Sequence, residues 1–248
     1  MNLTAIVLTK NEEENIVDCL ESVSFADEII VVDDESTDRT VELAKQFTGI
    51  ILPHALGKNF ASQRNFALNS AHGRWVLFID ADERVSTKLR AEIEKVIVSE
   101  KEVNGFYIKR EDFIWGTALK HGEVANIKIL RLARNRTGKW KGRVHETWRI
   151  SGRKKELRNV LVHTPHPTMK SFVAEIDAYT TMRKEELLEE KRKVRAIDIV
   201  LYPIGKFVVC YFFKKGYKDG IAGFIYAGMM SLHSFLVRGK TYISQHEE

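Results

Sequence analysis

Four short apolar runs in the first eighty residues each stop at polar or acidic positions, and no other feature limits the fold as strongly. "LTAIVLT", "EIIVVDD", "GIILP" and "WVLFIDAD" are rich in β-branched residues and almost free of internal charge, as strands covered on both faces must be. Between them, residues 11–22, 37–46, 60–71 and 86–98 carry apolar side chains at helical spacing, with Ser36, Thr37 or Asp38 and Ser86 as the expected N-caps. Strand and helix alternating in this way predict an α/β fold, a mostly parallel sheet flanked by helices. Ligands of such sheets bind beyond the carboxyl ends of the strands. Those ends read Thr9-Lys10-Asn11, Asp33-Asp34, Pro53-His54 and Asp80-Ala81-Asp82, so polar and acidic groups from distant parts of the chain converge on one rim. Carboxylates at the end of a buried strand, here Asp80, Asp82 and Glu83, are costly unless something positive compensates them.

The rest of the chain changes character twice. From about residue 105 to 162 the runs shorten ("GFYIKR", "IKILRLARN", "VHETWRI", "NVLVHT") and basic residues multiply, which predicts an antiparallel extension of the same domain. From Thr168 the chain turns helical. "SFVAEIDAYTTMRKEELLEEKRKVRA" reads as a charged amphipathic helix, and two apolar stretches follow, interrupted by Pro203, Gly205, Ser231 and His233 and bracketed by Lys214, Lys215, Lys218, Arg238 and Lys240. At or below the roughly 17–25 residues of a spanning helix, they fit helices lying in an anionic membrane interface better than spans. A helical cap packed on the first domain is the alternative. The expected division is 1–165 for the α/β domain, with halves at 1–100 and 105–165, and 168–248 for the helical, membrane-associating extension.

The net charge of +5 favours an anionic partner: nucleotide phosphates, anionic lipid headgroups, a phosphorylated acceptor or RNA. Two cysteines, Cys19 and Cys210, do not make a disulfide framework and lack metal-ligand spacing. No basic segment precedes the first apolar run, so no signal peptide is expected and the location is read as cytoplasmic, peripheral at the inner face of the plasma membrane.

In order along the chain, "AIVLTKNEE", "VVDDESTD", "ASQRNFAL" and "FIDADE" resemble the inverting glycosyltransferases of family 2, which have the GT-A fold. "GKWKGRVHETW" and the basic-apolar tail resemble a narrower subgroup, the bacterial lipopolysaccharide-core β-glycosyltransferases. The resemblance implies a metal-dependent transfer of a hexose, glucose first, from a UDP-sugar to a lipid-linked or core-type saccharide. It makes residues 1–100 the nucleotide-sugar half and 105–165 the acceptor half. Asp80-Ala81-Asp82 then corresponds to the family's DxD motif, with Asp82 holding Mg2+ or Mn2+ and Asp80 facing the ribose or donor sugar. A hard cation of this kind takes carboxylate oxygens and neutralises a leaving diphosphate.

Asp34 corresponds to the residue that accepts a hydrogen bond from the base, and Thr9 to one lining the base pocket. Lys10 stands where many members carry an aromatic residue. Arg64 matches a diphosphate-side cation, and Lys58 is a further candidate. Glu146 is the expected base for the acceptor hydroxyl, with Glu111 and Asp112 in competition and Arg143 or Arg149 as its possible ion-pair partners. His145 is expected near the metal or diphosphate. Trp140 and Trp148 either stack on a sugar or simply pack.

Three other classes compete. A sugar nucleotidyltransferase shares the sheet topology but requires a glycine-rich basic loop after the first strand, which "LTKNEEEN" does not supply. A dehalogenase-type phosphatase requires DxDx[TV], and Arg84 fills the last position of "DADER". A non-catalytic RNA- or membrane-binding module would use "RLARNRTGKWKGR" but leaves the acidic rim unexplained. No nucleic-acid partner is expected.

Overall fold

The computed structural model describes residues 1–57, 59–142, 146–165 and 168–247. It forms two compact units, Met1–Arg110 with Ile127–His163, and Glu111–Asn126 with Thr164–Glu248. In the first unit, β1 (Leu3–Thr9), β2 (Glu28–Asp33), β3 (Ile51–Pro53) and β4 (Trp75–Asp80) are parallel in the order β3-β2-β1-β4. Beyond β4 the sheet continues through β8 (Lys128–Arg134), β6 (Val103–Ile114), β11 (Arg153–His163) and β5 (Glu83–Val85). Its assigned pairings there, β4 with β8, β8 with β6 and β11 with β5, are antiparallel. The expected parallel sheet with an antiparallel extension is therefore what the chain forms.

Period-two alternation divides the strands between two cores. Ala5, Val7, Val31, Leu77 and Ile79 pack with Ile16 and Leu20 of α1 (Ile16–Ser22) and Leu89 and Ile93 of α4 (Thr87–Ser99). Their neighbours Ile6, Leu8, Ile30, Val32, Val76 and Phe78 face the other side, against Ala61, Ala67 and Leu68 of α3 (Phe60–Asn69). Trp140 and Trp148 close this second core. They come from the antiparallel pair β9 (Gly138–Lys141) and β10 (Thr147–Ile150), stack on each other with centroids 5.5 Å apart, and meet the edge of Phe78. Both are buried, so the packing alternative holds.

Ser86 caps α4 as expected, accepting the Leu89 N–H at 3.2 Å. Ser36 and Thr37 do not cap α2 (Thr40–Ala44). Ser36 Oγ accepts from Asn11 N–H, the Thr37 N–H donates to Asn11 Oδ1, and Asp38 accepts from Thr40. The two bonds of Asn11 tie the loop after β2 to the loop after β1.

The second unit contains α5 (Met169–Glu189), α6 (Ala196–Val208) and α7 (Gly220–Ser244). A π-helical turn, Val209–Phe213, extends α6, and a 3-10 turn, Gly216–Asp219, precedes α7. Phe172, Ile176 and Met229 form its core. The segment Glu111–Asn126, which the sequence reading groups with the first domain, clusters here. The reason is polar: Glu123 accepts from Lys206 and Cys210, His121 pairs with Asp219, and the Gly122 N–H reaches the Lys214 carbonyl. Short β7 (Thr117–Leu119) pairs with the end of β6 in the same segment.

Gly138 stands opposite Ile150, and a Cβ placed there would lie 1.9 Å from the Arg149 carbonyl oxygen. The three nearest atoms, the carbonyl oxygen and carbon of Arg149 and the Cα of Ile150, are all backbone, so the strands would have to separate. Gly138→Ala is expected to lower stability by about 1–3 kcal/mol in chemical denaturation and to red-shift the tryptophan emission of the β9–β10 pair.

Candidate active site

Parallel pairing fixes the rim. Thr9 lies beside Asp33, Asp33 beside Pro53, and Leu8 beside Asp80, so the carboxyl ends of all four strands sit side by side. At the β1–β2–β3 end, Asp34 is buried. Its Oδ1 accepts the Leu56 N–H at 2.7 Å and its Oδ2 the Lys10 ammonium at 2.8 Å. Lys10, the departure from the family's aromatic residue, thus serves as a cation for Asp34. Asp33 shapes the turn, accepting the Ser36 N–H at 3.0 Å. Three buried atoms here, Thr9 Oγ1, Asp33 Oδ1 and His54 Nδ1, have no hydrogen-bond partner among the described residues. Orphaned polar atoms gathered at adjacent strand ends mark a place where a polar ligand completes the bonding.

The β4 end is held by two guanidiniums. Arg64, from α3, donates to Asp80 Oδ1 at 2.9 Å and through Nε to Glu146 Oε1 at 2.9 Å. Arg131, from β8, donates to Asp80 Oδ2 and also to Glu83 Oε1. Glu83 is fully buried and its second oxygen accepts the Asp80 N–H at 2.9 Å. Burial works against the charge of Asp80, but Arg131 and Arg64 overcome it and hold the carboxyl far below the usual range. Burial pushes Glu83 the other way, above the ordinary value, with Arg131 opposing and Asp80 adding to the rise. Nη1 of Arg64 is buried without a hydrogen-bond partner among the described residues, and its guanidinium lies over the Trp140 ring at 4.7 Å.

Asp82 stands one step outward. Its Oδ2 lies 3.0 Å from Nε2 of His163, the last residue of β11. The structure therefore brings Thr9, Asp34, Arg64, Asp80, Asp82 and Glu146 onto elements of one compact unit. Lys58, Arg143 and His145 lie outside the described residues. Glu111 and Asp112 belong to the second unit. Two residues of the site, Arg131 and His163, were not singled out for it in the sequence, and Glu83 was named there only as one of three strand-end carboxylates in need of a cation. Arg131 is a lone cation inside the apolar run "ILRLA", and His163 ends "NVLVH" as Asp80 ends "VLFID". Those were the available signals.

The Asp82 carboxylate suits Mg2+ or Mn2+ when the substrate's diphosphate oxygens and water complete the shell, and the His163 imidazole is the softer of the two donors. Among the described residues no group of three or more His, Cys, Asp or Glu side chains is placed to hold a metal. A cation here would therefore be shared with the substrate.

A parallel sheet with an acidic strand-end rim and an antiparallel extension defines the α/β enzymes that bind ligands at that rim. The chain belongs to glycosyltransferase family 2, whose model, Glycosyl transferase family 2, matches residues 4–173. It is a transferase with a GT-A-type fold. It is 27% identical over 247 residues to the lipopolysaccharide core biosynthesis glycosyltransferase LpsC of Rhizobium meliloti, covering 97% of this chain and 92% of that protein. An uncharacterized glycosyltransferase of Rickettsia typhi is 26% identical over 248 residues, covering 94% of this chain and 84% of its own length. The crystal structure of S. aureus TarS 1–349 in complex with UDP-GlcNAc matches with a TM-score of 0.50 at 15% identity, over 99% of this chain and 92% of that one.

Arg131 should be the structural centre of the rim. Arg131→Met leaves Glu83 buried without its cation and is expected to cost about 3–5 kcal/mol in urea unfolding. Adding Glu83→Leu should recover a measurable part of that loss, as interacting neighbours do in a double-mutant cycle. Because the Asp80 pKa is depressed, its contribution is complete above the ordinary carboxylate range and disappears as the pH falls through its folded value. A stability–pH curve that stays flat through strong acid would contradict this assignment.

Proposed function

We propose that the protein transfers a hexose, with glucose the first candidate, from a UDP-sugar to a lipid-linked or lipopolysaccharide-core-type saccharide, with inversion at the anomeric carbon. The observation that carries this reading is the linked charge system on one rim, in which Arg64 joins Asp80 to Glu146 beside the Asp82–His163 pair. The acceptor class follows the name of the LpsC relative.

The uracil end fits the orphaned atoms at Thr9, Asp33 and His54, with Asp34 as the acceptor for the base N–H. Each carboxylate oxygen accepts more than one hydrogen bond, so Asp34 keeps capacity beyond its bonds to Leu56 and Lys10. Asp80, fixed from both sides, faces the ribose or sugar. Arg64 has one nitrogen left for the diphosphate.

Asp82 and His163 would hold Mg2+ or Mn2+, which supplies neutralisation of the charge that grows on the departing diphosphate. In the transfer itself, the acceptor oxygen forms its bond to the anomeric carbon as the bond from that carbon to the β-phosphate oxygen breaks. UDP leaves with the bonding pair, and the hydroxyl proton passes to the Glu146 carboxylate. Glu146 belongs to the unit that carries the rim, which favours it over Glu111 and Asp112. An enzyme using such a donor and a lipid-linked acceptor would work on the cytoplasmic side, peripheral at the anionic inner face of the plasma membrane.

Titration calorimetry with UDP-glucose in the presence and absence of Mn2+ tests the assignment. Asp82→Asn keeps the shape and removes the charge, so the Mn2+-dependent gain in affinity should be lost while metal-free UDP binding persists. His163→Gln should weaken the same gain. Native Mn2+-dependent binding by Asp82→Asn would exclude the assignment.

A further inference from the structure

Outside the rim, the second unit holds a cavity of about 740 Å3 lined by Arg183 and Leu187 of α5, by Leu201, Tyr202 and Lys206 of α6, and by Arg238 of α7, among others. Arg192 and His233 also face it. Its cations are incompletely matched. Arg183 pairs with Glu186 and Glu190, Arg192 shares Glu190, and Lys206 is bonded to Glu123. Arg238 makes no ion pair among the described residues. Its Nη1 donates to the carbonyl and hydroxyl of Ser234, and its guanidinium lies 3.7 Å from the centre of the Tyr202 ring. Asp198 acts on it only through space and is itself bonded to Arg195. Three carboxylates therefore serve four cations.

The wall of this cavity continues into an apolar face that nothing in the unit covers. Ile197, Val200, Leu201 and Ile204 follow the i, i+3, i+4, i+7 pattern of one helical stripe, and each is at least 50% exposed. Phe212 and Phe213 prolong it along the π-helical turn, at 56% and 76% exposure. The segment Ala196–Phe213 is apolar enough to cross a membrane by composition, with a mean hydropathy of 1.7, yet only 11% of it is buried. Both ends of the stripe are basic. Lys191, Arg192, Lys193 and Arg195 precede it, and exposed Lys214, Lys215 and Lys218 follow it.

We propose that the second unit binds anionic phospholipid, with a headgroup phosphate in the Arg238 cavity and the exposed stripe of α6 lying in the acyl boundary of a bilayer. Charge decides the occupant. A second copy of this face, in either orientation, would bring basic ends against basic ends, whereas an anionic lipid surface complements both ends and the cavity. Burial also makes the Arg238 charge harder to carry than that of a free guanidinium, and a phosphate beside it would relieve that cost. The inference builds on the membrane-face reading above and is independent of the donor chemistry.

The test uses the full-length protein and flotation with two kinds of vesicle, phosphatidylcholine alone and phosphatidylcholine mixed with phosphatidylglycerol. Binding should require phosphatidylglycerol and weaken with salt. Arg238→Gln should lower the partition about fivefold, the effect of one cation near the surface, and Arg238→Lys should restore most of it. Replacing Lys214, Lys215 and Lys218, all exposed, by Gln should lower it more than tenfold while the far-ultraviolet circular dichroism stays native. Leu201→Glu with Ile204→Glu should abolish it. Mn2+-dependent UDP-glucose binding should stay native in every variant, which separates this site from the transferase reading. The proposal is overturned if the native protein ignores phosphatidylglycerol or if the lysine and stripe variants bind as the native does. A native dimer in sedimentation velocity that Leu201→Glu with Ile204→Glu dissociates would also overturn it.

Discussion

Two buried guanidiniums allow a core strand to end in carboxylates. Arg64 and Arg131 reach Asp80 from opposite elements, one from helix α3 and one from strand β8, and each also holds a second carboxylate, Glu146 and Glu83 respectively. Remove the cations and the acidic end of β4 becomes a cluster of like charges next to Phe78 and Ile79. With them, the chain stations an ionised carboxylate at the strand end without unfolding it. The arrangement also ties parts of the chain far apart in sequence, since residues 64, 80, 131 and 146 form one connected set. The site and the sheet's antiparallel half are therefore stabilised by the same bonds.

The parallel half was legible because it depends on local pattern. Apolar runs of strand length, helical spacing between them and polar residues at their ends specify which side chains reach the rim once the strands are parallel. Thr9, Asp34, Asp80 and Asp82 were readable on that ground alone. Arg131 and His163 were not, because their place depends on how β8 and β11 pair in the antiparallel half, which no local pattern fixes. Ser36 and Thr37 were misread for a similar reason: Asn11, from another loop, competes successfully for the bonds that a helix cap would make. The tryptophans stood equally between two roles in the sequence, and only the pairing of β9 with β10 commits both to the core.

The second unit follows a different rule. Its helices share a small core around Phe172, Ile176 and Met229, while the outer side of α6 keeps large apolar residues in the open. The segment Glu111–Asn126 joins it through Glu123 and His121, two polar anchors that composition could not have assigned to a helical neighbour. Hydropathy alone located the apolar stretches. The basic residues beside them were equally legible, but the exposure of the α6 stripe needed the structure.

In the proposed transfer Glu146, held on the rim by Arg64, takes the acceptor's proton. The direct measurement compares Glu146→Gln with the native enzyme in two assays, transfer from UDP-glucose to a core-type saccharide and calorimetric binding of UDP-glucose with Mn2+. Glutamine keeps the size and a hydrogen-bonding oxygen but cannot accept the proton. Transfer should fall about 10²–10⁴-fold while donor affinity stays near native. Native transfer by Glu146→Gln, together with loss of transfer in Glu111→Gln or Asp112→Asn, would place the base in the second unit and contradict the account.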